Sequence, residues 1–292
     1  MVKRGNTLSA VEFVHTPAMP GRISMAPAGG TYYVSTSVWP GHQALVPVIE
    51  RERFLTLLER VRTTFQARIY AYAVHQAGVH LLLTLRDQRE EPESRLRERW
   101  RRLTPRSVPP SARLRERLSS LSGFMQTMLQ RFSRDWNQRH QRSGRLWAPR
   151  YRATAVVDDR SLLASLTWIE RTSDAAGVTS RGRHDQGRAV LLLASPPLRT
   201  GPGDFLCPAD EAPPGCYPPP DGAYESCLER FSATITPTSS QAHGRALGAG
   251  WALGRPESLG GVISHLARAS GRGRVRQVRD LDDDLGLCGV WG

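Results

Sequence analysis

The run Val79-His80-Leu81-Leu82-Leu83-Thr84-Leu85, bounded by Gly78, constrains the chain more than any other stretch. It is too short for a buried helix and rich in strand-compatible residues, so it reads as a buried central strand. Successive side chains on a strand point to opposite faces, which places His80 on the face of position 78 and away from Val79. Two histidines at 78 and 80 would make a pair of ready-placed metal ligands. Position 78 is glycine.

The residues around this strand change period in an ordered way. Thr31 to Val38 is β-branched and aromatic and reads as a first strand. From Glu50 to Phe65, apolar Phe54, Leu57, Leu58, Val61 and Phe65 mark one face of a helix, with Arg51, Arg53, Arg60 and Arg62 on its solvated side. Residues 67 to 74 give a second strand, and a link through His75 returns the chain into the third. Strand, helix, strand, strand is the opening of a ferredoxin-like sheet. Leu121, Phe124, Met125, Met128, Leu129, Phe132 and Trp136 form the strongest helical stripe in the chain. Residues 153 to 157 predict a fourth strand, and Asp158 or Asp159 can cap a helix running to about Arg171 through Leu162, Leu163, Leu166 and Ile169.

The expected class is α+β: a ferredoxin-like antiparallel sheet with helices on one face, plus a loop-rich C-terminal extension. Residues 1–30 read as an irregular lead-in and 31–180 as the main domain. A basic insertion at about 86–118 carries Arg95, Arg97, Arg99, Arg101, Arg102, Arg106, Arg113, Arg115 and Arg117. It reads equally as a mobile basic flap over nucleic acid and as a solvated loop with frayed helical turns. Residues 181–292 read as a Pro/Gly-rich extension with short helices at 223–231, 241–247 and 259–268 and a basic tail.

Lys3 is the only lysine, so the net charge of +13 is carried almost wholly by arginine. Guanidinium groups fork over phosphates and stack on bases, which points first to nucleic acid. A GC-rich genome would explain arginine over lysine but not the excess over acidic residues. No apolar run approaches the roughly 18 residues that span a bilayer, and the start lacks the order of an export signal. Cys207, Cys216, Cys227 and Cys288 stand at wide spacings without a Cys-x-x-Cys pair, which fits reduced thiols better than a zinc site.

Several stretches together carry a family likeness: Pro20-Gly21-Arg22-Ile23 ahead of the Tyr-Tyr-Val strand, Ala71-Tyr72, Gly78 to Leu83, Met125-Gln126, Phe132 to His140, and Arg139 to Arg152 with its Gly-Arg-Leu-Trp core. Fainter echoes are Ile169 with Ala176-Gly177, and Gly250 to Gly254. This pattern resembles the REP-associated tyrosine transposases, members of the HUH single-strand transposases and nucleases. The resemblance implies that a His-hydrophobic-His motif holds a divalent metal on a phosphate of single-stranded DNA. A helical tyrosine then attacks to give a 5′-phosphotyrosyl intermediate, and a polar residue about a turn later completes the metal shell.

At the matching positions Gly78 replaces the first histidine, while Phe132 and Trp136 stand where the tyrosine is expected. His80 and Asn137 are the remnant metal ligands. His75, five residues from His80, would point to the opposite face on a continuing strand, although a loop could bring it round. Ser133 offers a hydroxyl on the same helix as a weak alternative nucleophile. Arg131, Arg134, Arg139, Arg142, Arg145, Arg150 and Arg152, interleaved with Trp147 and Tyr151, are the expected DNA contacts, through phosphates and stacked bases. The plainer alternative is a basic loop with buried aromatics.

The expected function is therefore a transposase-like DNA-binding protein, a catalytically inactive derivative that holds single-stranded or hairpin DNA. It needs no cofactor if inactive, and Mg²⁺ or Mn²⁺ if a residual metal site works. The expected setting is the bacterial cytoplasm, associated with the nucleoid, without membrane attachment; a homodimer or an accessory protein partner is compatible with this. The alternatives are an active transposase using unrecognised ligands and nucleophile, and a protein-interaction scaffold.

Overall fold

The computed structural model describes residues 30–105, 108–175, 244–247, 250, 252–269, 277–281 and 286–291. The expectations for the lead-in, the proline-rich linker, the helix at 223–231, Ala176-Gly177 and the tail arginines 272, 274 and 276 lie outside those residues. The same holds for Cys207, Cys216 and Cys227; Cys288 is buried.

The first strand, β1 (Thr31–Ser37), leads into α1 (Val48–Phe65), and β2 (Ala67–His75) and β3 (Gly78–Leu85) form a hairpin. Then come α2 (Glu93–Leu103), α3 (Ser111–Leu118), α4 (Leu121–Arg139), β4 (Arg152–Val156) and α5 (Asp159–Ala175). The chain closes with β5 (Ala252–Gly254), α6 (Pro256–Ala269), β6 (Gln277–Asp280) and β7 (Cys288–Trp291). The sheet order is β2-β3-β1-β4-β5-β7-β6. Its first four strands pair antiparallel, with β1 in the centre between β3 and β4, and give the expected ferredoxin-like arrangement within a mixed α/β fold. No helix among the described residues is long and apolar enough to cross a membrane.

Alternation along the strands builds two cores. Tyr32, Val34, Val79, Leu81, Leu83 and Leu85 meet Phe54, Leu58 and Val61 of α1 and Phe124, Met128 and Phe132 of α4. A helix that buries such a stripe gains about 1.5–3 kcal/mol per large side chain, which is why the long stripe of α4 was readable from its spacing. The opposite face carries Tyr33, Tyr70, Ala71, Ala73 and Leu82, and α5 covers it with Leu162, Leu163, Leu166 and Ile169. Helices α1 and α4 share one face of the ferredoxin-like strands as expected, and α5 adds cover on the other, because strands apolar on both sides need cover on both. An irregularity between Ile69 and Ala71 turns Tyr70 and Ala71 to the same face.

The insertion is neither flap nor frayed loop. Leu96, Trp100 and Leu103 of α2 and Leu114 and Leu118 of α3 are buried in the α1–α4 core. Like charge is relieved along the outer face by helical pairs, Arg97 with Glu93 at 2.6 Å and Arg102 with Glu98 at 2.5 Å. The extension likewise contributes more than short helices and a tail. Strand β5 adds in parallel to β4, and β7 and β6 follow antiparallel. The junction is held by Thr154, whose hydroxyl donates to the carbonyls of Leu247 at 2.8 Å and Gly250 at 2.9 Å. Asp158 accepts from the Arg255 amide at 2.6 Å and from the Ser161 amide at 2.8 Å, so one carboxylate caps α5 and ties down the strand β5 turn.

Candidate nucleic-acid interface

Residues expected to form one catalytic site are divided by the sheet. His80 faces the α5 side. The Tyr33 hydroxyl lies 2.5 Å from its Nδ1, and the Trp168 indole N–H donates to that same hydroxyl at 3.2 Å. With the tyrosine oxygen already accepting, its own hydrogen is free to go to Nδ1, which leaves that nitrogen engaged. His75 joins it: the chain reverses at Gln76 and Ala77, Ala73 stands opposite His80, and His75 stands opposite Gly78. Parity counted along one strand does not survive a hairpin, so the two rings share a face and stack, 5.1 Å apart and 21° from parallel. Burial lowers the His75 pKa to about 4. Burial, followed by the neighbouring His75, lowers that of His80 to about 3, so both rings are neutral at pH 7.

Gly78 has no room for a side chain. It pairs with Ser37 on one side and His75 on the other, and a Cβ built on it would stand 2.2 Å from the Thr36 carbonyl oxygen. The missing first histidine is thus written into the strand spacing as well as the sequence.

Helix α4 belongs to the other face. Phe132 is 2% exposed and packs edge-on against Phe54, 5.2 Å between centroids. Trp136 is buried and stacks on His140 at 4.4 Å. The Ser133 hydroxyl donates to the Leu129 carbonyl at 2.8 Å, an ordinary helical back-bond. Asn137 donates through Nδ2 to the Gly144 carbonyl at 3.0 Å and so braces the following loop. His80 and Asn137 are therefore not brought together, and among the described residues no three His, Cys, Asp or Glu side chains converge as a metal group would need. The remnant residues do not fit the metal shell that the resemblance implies.

The expected DNA contacts sort into two groups. Trp147 is buried, and its indole N–H donates to the Leu129 carbonyl at 3.2 Å, so it supports the loop and offers no stacking face. Tyr151 is half-buried with its hydroxyl 3.0 Å from that of Ser122, and burial raises its pKa against the effect of that bond. Arg131 is half-buried and donates to the Thr104 hydroxyl; Arg152 is half-buried in β4 opposite Ser35. Arg139 pairs with Glu50 at 2.5 Å. Burial alone would raise the Glu50 carboxyl, but Arg139, with Arg53 and His140, holds it below the usual carboxylate range.

Arg134, Arg142, Arg145 and Arg150 are exposed. Among the described residues no carboxylate pairs with Arg134, Arg142 or Arg145; Arg142 lies over the Trp136 ring at 5.7 Å. A second basic area adjoins α4. A groove of about 340 Å³ between α1 and α2 is lined by Arg60, Thr63, Thr64, Arg99 and Arg102, with one acidic residue, Glu59. Burial and then the like charges of Arg60 and Arg134 hold the Arg131 pKa down, against the opposing effect of Asp135. Such a like-charge assembly attracts a polyanion and is stabilised by it.

Sequence reasoning passed over Trp39. It is 37% exposed and belongs to the Trp39-Pro40-Gly41-His42 turn, closed by the His42 amide on the Trp39 carbonyl at 3.0 Å. The Trp-Pro-Gly order was the available signal, since proline followed by glycine marks the centre of a tight turn.

No family model matches the sequence, and no curated protein matches it. Among solved structures, one of a REP-associated tyrosine transposase bound to a REP hairpin is similar over 56% of this chain and 75% of its own, with a TM-score of 0.37 and 12% identity. A superposition at that score assigns no role to any residue here.

Proposed function

We propose that this chain is a transposase-like DNA-binding protein that holds single-stranded or hairpin DNA and does not cut it through the resembled site. The observation that carries the reading is the set of exposed arginines without carboxylate partners among the described residues, Arg134, Arg142 and Arg145, at the end of α4 and in the loop after it. They stand where the sequence resemblance to REP-associated tyrosine transposases is fullest. Unpaired surface guanidiniums bind phosphate through counterion release, and their number sets the salt dependence. The inactive part of the reading is supported by the absence of space at Gly78, the burial of Phe132 and Trp136, and the engagement of His80 with Tyr33. A binder of this kind needs no metal and would work in the bacterial cytoplasm on nucleoid DNA, alone, as a homodimer or with an accessory protein.

The test incubates the purified chain with 5′- and 3′-labelled single-stranded and hairpin DNAs and Mg²⁺ or Mn²⁺, reading retention and denaturant-resistant adducts. Salt-sensitive retention without cleavage is expected. A metal-dependent covalent adduct would overturn the inactive reading, and no retention at low salt would overturn DNA binding and direct the search to a protein partner.

A further inference from the structure

We infer that Trp39 is a stacking platform for an unpaired nucleobase, so that the interface selects unpaired over paired DNA. The inference rests on the DNA-binding reading above and adds to it the residue that reads strandedness.

Three observations place an aromatic face where a base would arrive. First, Trp39 is more than a third exposed, and among the described residues its ring enters no aromatic stack, cation–π contact or side-chain hydrogen bond. Second, its backbone is fixed on both sides. The Trp39 amide donates to the Leu146 carbonyl at 2.8 Å, the Ala148 amide donates to the Ser37 carbonyl at 2.9 Å, and Val38 bridges Trp147. On the other side the Pro40-Gly41 turn is closed, with Gly41 at φ 83° in the region glycine favours. An aromatic residue held this way loses little entropy when a ligand arrives. Third, the segment that pins Trp39 is the arginine loop itself. Arg145 adjoins Leu146 and, like Arg142, is exposed without a carboxylate partner among the described residues. A phosphate on these arginines carries its base within reach of the neighbouring ring, which is the pairing of charge and π-face that single-strand binders use. A duplex keeps its bases stacked on one another and gains only from the arginines.

The experiment measures fluorescence anisotropy of labelled DNA against wild type, Trp39→Ala and Trp39→Phe, with three probes of equal length: a single strand, its duplex, and a strand with an abasic stretch. Circular dichroism checks that each variant is folded. Stacking of one base on an aromatic ring predicts that Trp39→Ala weakens single-strand binding by roughly tenfold. Duplex and abasic binding should change by less than about twofold, and Trp39→Phe should retain most of the single-strand affinity. Equal single-strand affinity for wild type and Trp39→Ala would overturn the inference, as would an equal loss on all three probes. Arg145→Ala distinguishes the two levels: if it weakens every probe while Trp39→Ala weakens none, DNA binding stands and the platform falls. If wild type binds no probe, both fall.

Discussion

Gly78 can grow a side chain only if backbone moves, because the Thr36 carbonyl oxygen lies 2.2 Å from where its Cβ would stand. Gly78→His is therefore expected to destabilise the fold by about 1–3 kcal/mol in urea unfolding, the ordinary cost of overpacking, and to leave no metal binding in titration calorimetry. A stable variant that binds Mn²⁺ would contradict this. Phe132→Tyr would place a hydroxyl among Phe54 and Trp147 with no partner, at a cost of roughly 1–3 kcal/mol, and should form no covalent DNA adduct. His75 and His80 make a prediction in pH. Their folded pKa values, about 4 and about 3, lie below the ordinary 6.5, so the unfolded chain takes up protons that the folded one refuses. Their effect on stability is absent above about pH 6.5 and grows as pH falls toward 3–4, at up to about 1.4 kcal/mol per pH unit for each ring. The urea midpoint should drop across that window, and less so in His75→Gln.

Elements were legible to different degrees, for identifiable reasons. Helix α4 and strand β3 were readable because their apolar residues follow one period without interruption. Helices α2 and α3 were hidden by arginine density, although Leu96, Trp100 and Leu103 already stood at helical spacing. The candidate site was least legible, because strandedness tells which residues share a face within one strand but not across a hairpin: a continuing strand puts His75 on the face away from His80, and the turn at Gln76 and Ala77 brings it round. Burial also reversed the reading of Trp147, whose neighbourhood of arginines resembled a stacking site. At the other end of α4, Glu50 is buried at the start of α1 and joins Arg139 to that helix. Arg139 is a third exposed, so the pair lies between the solvent-screened and buried extremes, and Glu50→Gln is expected to cost about 2 kcal/mol in thermal unfolding. A cost below a few tenths would show that α1 and α4 are joined by their aromatic contacts alone.

Across the whole molecule the sheet grows beyond the four ferredoxin-like strands, since β5, β7 and β6 extend it from β4. Short strands after a long proline-rich stretch give too little periodicity to be read in advance, and Gly250 to Gly254, which resembled a family turn, runs directly into one of them. The arginines that face outward from this body are the basis of the proposed function, and their effect is collective. The most direct test is the salt dependence of single-stranded DNA binding by wild type and by a variant with Arg134, Arg142 and Arg145 all changed to alanine. Each lost phosphate contact lowers the slope of log K against log salt by about 0.7 for a single strand, so the slope should fall by about 2 if all three arginines contact phosphate. Affinity at about 50 mM salt should fall with it. Equal slopes and affinities for the two proteins would contradict the account, because they would place the DNA, if it binds, on a different surface.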